Sequence, residues 1–312
     1  MTRRTPRLLA ATLAVAALTL GACAEKTSTD TPAAGSSSAA ATFPVTVGKL
    51  TLEKRPEKIV SLSPTATEML FAIGAGKQVT AVDDQSNYPP DAPKSDLSGF
   101  QPNAEAIAAK TPDLVVLSND TNKIVDQLTT LKIPVLLTPA AATLEDSYRQ
   151  ITDLGALTGH PTEAADVTQR MKDDIAKLVK DLPQRSKKLT YYHELGPELY
   201  TATSRTFIGS IYALAGLENI ADASDADGKA GGYPQLSQEV IVKANPDFVF
   251  LADTKCCRQS PETVRARAGW ADVTAVKNNQ VVALDDDIAS RWGPRVVDQL
   301  RTIVDAVAKV PA

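Results

Sequence analysis

Residues Glu105–Leu117 read EAIAAKTPDLVVL, and residues Glu239–Leu251 read EVIVKANPDFVFL. Across the 134-residue offset, Glu, Ile, Pro, Asp, Val and Leu recur in register. Each copy reads as a short helix that runs directly into a strand. Asn103 and Ser237, two positions before each Glu, suit the helix N-cap. The Pro that follows Thr111 or Asn245 disfavours helical backbone in the residue before it, so each helix must stop there. LVVL and FVFL are unbroken apolar runs, as strands buried on both faces require. A helix-to-strand unit written twice predicts two equivalent lobes, each with a carboxylate at the start of an equivalent helix.

The surrounding chain fits that plan. In the first half, IVSLS from Ile59, VTAVD, LVVLS and VLLTP read as strands, with TEMLFAIGAG, PNAEAIAAKT and NKIVDQLTTL as helices between them. Such alternation implies a parallel, helix-flanked sheet. From Thr143 to about Leu182 the strand signal disappears, and apolar residues at helical spacing predict two helices broken at Gly159-His160-Pro161. Alternation resumes with LTYYHEL, FIGSIYALAGL, DFVFLA and VVALD, and ends in a helix from about Pro294. The expected fold is α/β: two similar lobes, each a mostly parallel helix-flanked sheet, joined by a single long helix with a ligand cleft between them. The expected boundaries are a signal peptide at 1–22, a flexible tether at 23–45, an N-terminal lobe at 46–160, a connecting helix at 161–186 and a C-terminal lobe at 187–312.

The N-terminus reads as an address. Arg3, Arg4 and Arg7 precede LLAATLAVAALTL, an apolar stretch short for a membrane span, which ends in Leu20-Gly21-Ala22-Cys23. That ending resembles a bacterial lipobox, which implies acylation of Cys23 (palmitate being a typical chain) and attachment to the extracytoplasmic face of the cell membrane. Several acyl chains anchor a soluble domain far better than one. The Ser/Ala/Thr/Pro-rich residues that follow read as a tether. Removal of residues 1–22, which carry three Arg and no acid, takes the formal charge from -4 to -7. An acidic chain without a dense Lys/Arg run is poorly suited to nucleic acid, so the lipid anchor is the expected membrane contact. Mean hydropathy is -0.12, ordinary for a globular chain.

Enzyme motifs are missing. HELGP from His193 starts like HExxH but carries Pro197 where the second His would stand. His160 and His193 are the only histidines, too few for a multi-His metal centre. FIGSIYA lacks the second flanking Gly of a nucleophile elbow. Neither a P-loop nor a dinucleotide fingerprint is present, so neither catalysis nor a cofactor is expected.

Binding fits better, because ligands of open α/β sheets sit at the carboxyl ends of the strands. Those ends carry Ser63-Pro64-Thr65, Asp84 to Tyr88 and Ser118-Asn119-Asp120 in the first lobe. In the second they carry His193-Glu194, Tyr200, Lys255-Cys256-Cys257 and Asp285 to Trp292. Aromatics make up only 5% of the chain, yet Tyr88, Phe100, Tyr200, Tyr233 and Trp292 all fall in polar or turn-rich surroundings near these edges.

The stretch SLSPTATEMLFAIGAGKQVTAVDDQSNYPPDAPKSDLSGFQPNAEAIAAKTPDLVVLSND, with YPQLSQEVIVKANPDFVFLAD and VVALDDDIASRWGPR, resembles the cobalamin and ferric-siderophore binding proteins of ABC importers. The resemblance covers essentially the whole body from about Arg55. It implies two lobes that close slightly on a small-molecule metal chelate, a monomer, and delivery to a permease with its ATPase. Carried over residue by residue, Glu105 and Glu239 match the family's two docking carboxylates; locally, both also suit a helix N-terminus. Phe100 and Tyr233 stand where the cobalamin branch places tryptophans, Tyr200 where it places a Phe, and Asp287 and Arg291 match its polar pair. Ser118 and Gln85 replace further aromatic contacts, which leaves cobalamin and a ferric siderophore both open. The sequence also leaves open direct capture of a metal ion by His193, Glu194 and cleft carboxylates, an exported enzyme, and an interaction lipoprotein. Cys256 and Cys257 are adjacent thiols in an oxidising exterior. A vicinal disulfide, two free thiols and a link between molecules are all compatible with their spacing.

Overall fold

The computed structural model describes residues 42–311, so the signal peptide, Cys23 and most of the tether lie outside the described residues. A small antiparallel hairpin comes first, β1 (Val45–Val47) with β2 (Leu50–Leu52). The tether expected to run to residue 45 thus gives way to strand at Val45.

The first lobe is a five-stranded parallel sheet of β3 (Ile59–Leu62), β4 (Val79–Asp83), β5 (Lys94–Leu97), β6 (Leu114–Leu117) and β7 (Val135–Leu137), in the order β5-β4-β3-β6-β7. Every residue of β3 and β6 is buried, which explains the continuous apolar run of β6 and a β3 in which Ser61 alone is polar. Helix α1 (Pro64–Ala72) follows β3, α2 (Ala104–Ala108) precedes β6, and α3 (Ile124–Thr130) precedes β7. The chain winds outward from β3 in both directions, so the switch point lies between β3 and β6.

Two helices follow. α4 (Leu144–Thr158) opens with a capping box between Thr143 and Asp146 and closes at Gly159, whose φ of 79° suits glycine. α5 (Pro161–Lys180) then starts with Pro at its first turn. α4 and α5 pack so closely that a Cβ at Gly155 would collide with the Ala164 side chain. α5 ends at Lys180, short of the expected 186, because Pro183 bars helical backbone at the residue before it.

The second lobe repeats the first with four parallel strands, β8 (Thr190–Glu194), β9 (Glu218–Asn219), β10 (Phe248–Leu251) and β11 (Val281–Ala283), in the order β11-β10-β8-β9. Helix α6 (Phe207–Leu214) follows β8, and α7 (Gln238–Ala244) feeds β10. α8 (Pro261–Arg265) and α9 (Thr274–Lys277) lie between β10 and β11, and α10 (Asp286–Ala289) and α11 (Val296–Ala308) close the chain. α11 packs along α5, and one apolar core runs from Met69 and Val116 through Leu154 and Met171 to Tyr191, Phe250 and Leu300. Both lobes therefore belong to one compact unit. Among the described residues, no helix is long and apolar enough to cross a membrane.

The repeat has a concrete structural role. Asn103 and Ser237 cap α2 and α7 by accepting the N–H of Ala106 (2.9 Å) and Val240 (3.3 Å). A left-handed residue stands just before the Pro in each copy, Thr111 (φ 50°) three residues past the end of α2 and Asn245 (φ 49°) at the C-cap of α7. The Asp after each Pro ties the new strand to its neighbour. Asp113 Oδ2 accepts the N–H of Glu57 and Lys58 (2.9 and 3.1 Å), ahead of β3. Asp247 Oδ2 accepts the N–H of Thr190 (2.8 Å), at the start of β8.

Candidate functional site

The carboxyl edges of the two sheets meet. Asn87, on the loop after β4, donates to Asp287 Oδ2 in α10 (3.1 Å), and Arg291 Nη2 donates to the Gln85 carbonyl (3.1 Å). Asp287 also accepts from Lys255 (2.6 Å) and from Arg291 (3.2 Å). Hydrogen bonding to Lys255 and Asn87, with the charge of Arg291, outweighs burial and holds the Asp287 carboxyl below the usual carboxylate range.

Beneath this contact lies a buried ion cluster. Glu68, on α1, receives Arg291 Nη1 (2.8 Å), Arg295 Nε (2.8 Å) and Arg295 Nη2 (2.5 Å). The Arg295 guanidinium lies 4.1 Å from the Tyr88 ring centroid. Trp292 Nε1 donates to Gln150 (2.8 Å), and the Ser147 hydroxyl donates to the Trp292 carbonyl, so the turn after α10 is fastened to α4 as well. Arg291 and Trp292, read from sequence as ligand contacts, are thus engaged in the joint between lobes. Glu68 escaped the sequence reading, although an acid inside the apolar helix PTATEMLFA signals a buried partner. Glu68→Ala removes the carboxylate shared by two guanidinium groups at 9% and 17% exposure, leaving Arg291 only its ion pair with Asp287 and Arg295 without an ion pair among the described residues. We expect a loss of about 3 kcal/mol in denaturant unfolding, the lower end for breaking a buried pair. A cost below about 1 kcal/mol would mean that the joint contributes little to stability.

The remaining aromatics face outward. Tyr88, Phe100, Tyr200 and Tyr233 are 42%, 70%, 48% and 45% exposed, unlike the other large rings of the protein. Tyr88 and Phe100 lie on loops after β4 and β5, and Tyr200 on the loop after β8. Tyr200 pairs with Gln235 in an isolated bridge, and Thr203 donates its N–H to Gly232 (2.8 Å), so the Tyr200 and Tyr233 segments are zipped together. Asp225, buried, fixes the second segment by accepting the N–H of Ala230 and Gly232 (both 2.8 Å) while pairing with Arg205 (2.9 Å).

His193 and Glu194 do not reach this surface. Both are fully buried. His193 Nδ1 meets the Tyr212 hydroxyl (2.8 Å), and burial pushes the imidazole down to about 3, so it stays neutral. Glu194 is held by Arg267 through two bonds (2.6 and 2.5 Å). The metal-ion alternative therefore loses its two named ligands. Next to Glu194 on β8 sits Asp253, also fully buried, whose two carboxyl oxygens have no hydrogen-bond donor among the described residues. Burial, and then the Glu194 charge, pushes Asp253 up to about 7.

Glu105 and Glu239 are exposed, each the second residue of its helix, and no ion pair engages either among the described residues. Cys256 and Cys257 are free thiols on the loop after β10.

Comparison with known proteins places this geometry. Residues 59–288 match the family model described as periplasmic binding protein. A cobalamin-binding protein of Halobacterium salinarum is 32% identical over 281 residues, covering 86% of this chain and 75% of its own. The uncharacterized ABC transporter substrate-binding lipoprotein YvrC of Bacillus subtilis is 28% identical, covering 85% and 86%. The crystal structure of the periplasmic vitamin B12 binding protein BtuF of Vibrio cholerae superposes with a TM-score of 0.64 at 25% identity, covering 82% of this chain and 99% of that one.

Proposed function

The chain belongs to the periplasmic binding protein family, and from that premise we propose that it is an extracytoplasmic lipoprotein that captures a cobalamin-type corrinoid or a ferric siderophore and delivers it to an ABC permease. The observation that carries this reading is the set of exposed rings, Tyr88 and Phe100 on one edge and Tyr200 and Tyr233 on the other. Outward-facing aromatics on facing loops offer flat apolar contact to a large chelate. The relative that binds cobalamin, by its name, matches along most of the chain, which favours a corrinoid among chelates. The lipid on Cys23 keeps the protein at the membrane, Glu105 and Glu239 meet the permease, and the protein works as a monomer without transforming its cargo.

Ligand that binds only the folded form adds about 2.7 kcal/mol at a hundredfold excess over Kd. Cobalamin or a ferric hydroxamate should therefore raise the melting temperature by several degrees, and free Zn²⁺ or Mn²⁺ should leave it unchanged. A shift with bare metal alone would overturn the chelate reading.

A further inference from the structure

We propose that a cavity at the base of the second lobe binds a small amphiphile, an acyl chain with an anionic head of the fatty-acid type. The cavity holds about 280 Å³, at the lower end for small-molecule pockets. It lies where α5, α6 and α11 end, beside the loop from Leu182 to Leu189 that leads into β8. That is the amino edge of the second sheet, opposite the carboxyl edge that carries Tyr200, so the site is separate from the cleft. Its walls are apolar. Val179, Leu182, Leu189 and Leu214 stay half-buried around it, beside the buried Leu217 and Val307. Aliphatic surface left half-covered in one concavity gains by taking an acyl chain out of water. A bilayer is flat, so a hollow between three helix ends suits a single chain better than a membrane surface.

The head follows from charge. Arg185 and Lys188 line the cavity, and among the described residues no acid does. Arg185 is held in place, with Nη2 donating to the carbonyls of Val310 (2.6 Å) and Val307 (3.2 Å) and Nη1 to that of Pro311. These bonds cap α11 and offset the partial negative charge of its C-terminus. At the end of α6, the Ala213 and Tyr212 carbonyls already accept the N–H of Gly216 (3.0 Å) and Leu217 (3.3 Å). Arg185 Nε is shielded from water yet has no acceptor among the described residues. A buried N–H of this kind calls for one. Lys188 is exposed and joins no ion pair among the described residues. A carboxylate could accept from Arg185 Nε and pair with Lys188 while its chain lies along the leucines.

The test is calorimetric titration of the full chain with decanoate, below the concentration at which it forms micelles. Decanoate should bind at one site, and decanol about tenfold more weakly, since hydrogen bonds to a charged head are the stronger ones. Lys188→Glu should weaken decanoate by about tenfold and leave decanol unchanged. Ala213→Trp, at an exposed position on the cavity wall, should weaken both by filling the space. Wild-type protein that ignores decanoate, or holds decanol as tightly, would overturn the proposal. So would decanoate binding that Lys188→Glu leaves untouched, which decides the matter even if the tryptophan disturbs α6. Retention on phosphatidylglycerol vesicles without decanoate binding would make this face a membrane contact instead, and the proposal would fall.

Discussion

Asp253→Asn should stabilise the protein at pH 8 and leave it little changed near pH 4. The buried Asp253 carboxyl faces the Glu194 carboxylate on β8, the Arg267 guanidinium, the Tyr192 hydroxyl and Asp286 from α10. Arg267 spends two bonds on Glu194 and stacks 4.8 Å from the Trp270 centroid, so it cannot fully serve both acids. Two carboxyls beside one guanidinium settle by sharing a proton.

The sign follows from proton counting. Asp253 holds its proton to about pH 7 in the folded protein, whereas its ordinary value is 3.8. Between those limits the folded state binds more protons than the unfolded one, so stability falls as pH rises and levels off above about 7. One proton corresponds to about 1.4 kcal/mol per pH unit, which sets a ceiling of roughly 4 kcal/mol across the window. Asn stays neutral throughout, and its amide can donate to Glu194 as the protonated acid does. Denaturant unfolding of both proteins at pH 5, 6, 7 and 8 isolates the effect, because the buried His193 contributes equally to each. Parallel profiles would mean that Asp253 is already ionised in the fold.

The two buried acid clusters mark where sequence reading reaches its limit. β6 and β10 were legible because burial on both faces leaves unbroken apolar runs, β3 because Ser61 alone interrupts its run, and the Pro-Asp repeat announced where strands begin. β5 was not: KSDL is a polar edge strand, exposed along much of its length. Nor was β9, only two residues long. Glu68 and its partners Arg291 and Arg295 are separated by 223 and 227 residues, so only the folded chain reveals the pairing. Asp253 drew no notice at the end of DFVFLAD; in the fold the loop after β10 turns back on it, with the Cys257 and Gln259 N–H groups donating to its carbonyl. The exposed aromatics were legible for the opposite reason. Rings placed among Gly, Pro and polar residues have no apolar stripe to join.

Glu105→Ala and Glu239→Ala should each impair uptake, and the double variant should abolish it, with ligand affinity nearly unchanged. Both carboxylates are exposed and free of ion pairs among the described residues, on helices that the duplicated fold places equivalently. The caps Asn103 and Ser237 already satisfy the helix starts, so structure alone does not require acids there. Losing the helix-dipole interaction should cost only about 0.3–1 kcal/mol at each site. A carrier with two lobes must present both to its permease, and one carboxylate per lobe fixes orientation at the encounter more than it adds affinity. The decisive comparison sets ligand affinity of the purified double variant beside transport by cells that carry it. Normal binding with wild-type transport would reduce the repeated Glu to a helix-start residue. Normal binding without transport, restored when the matching permease charges are reversed together with Glu105→Arg and Glu239→Arg, would identify the surface that each copy of the repeat presents.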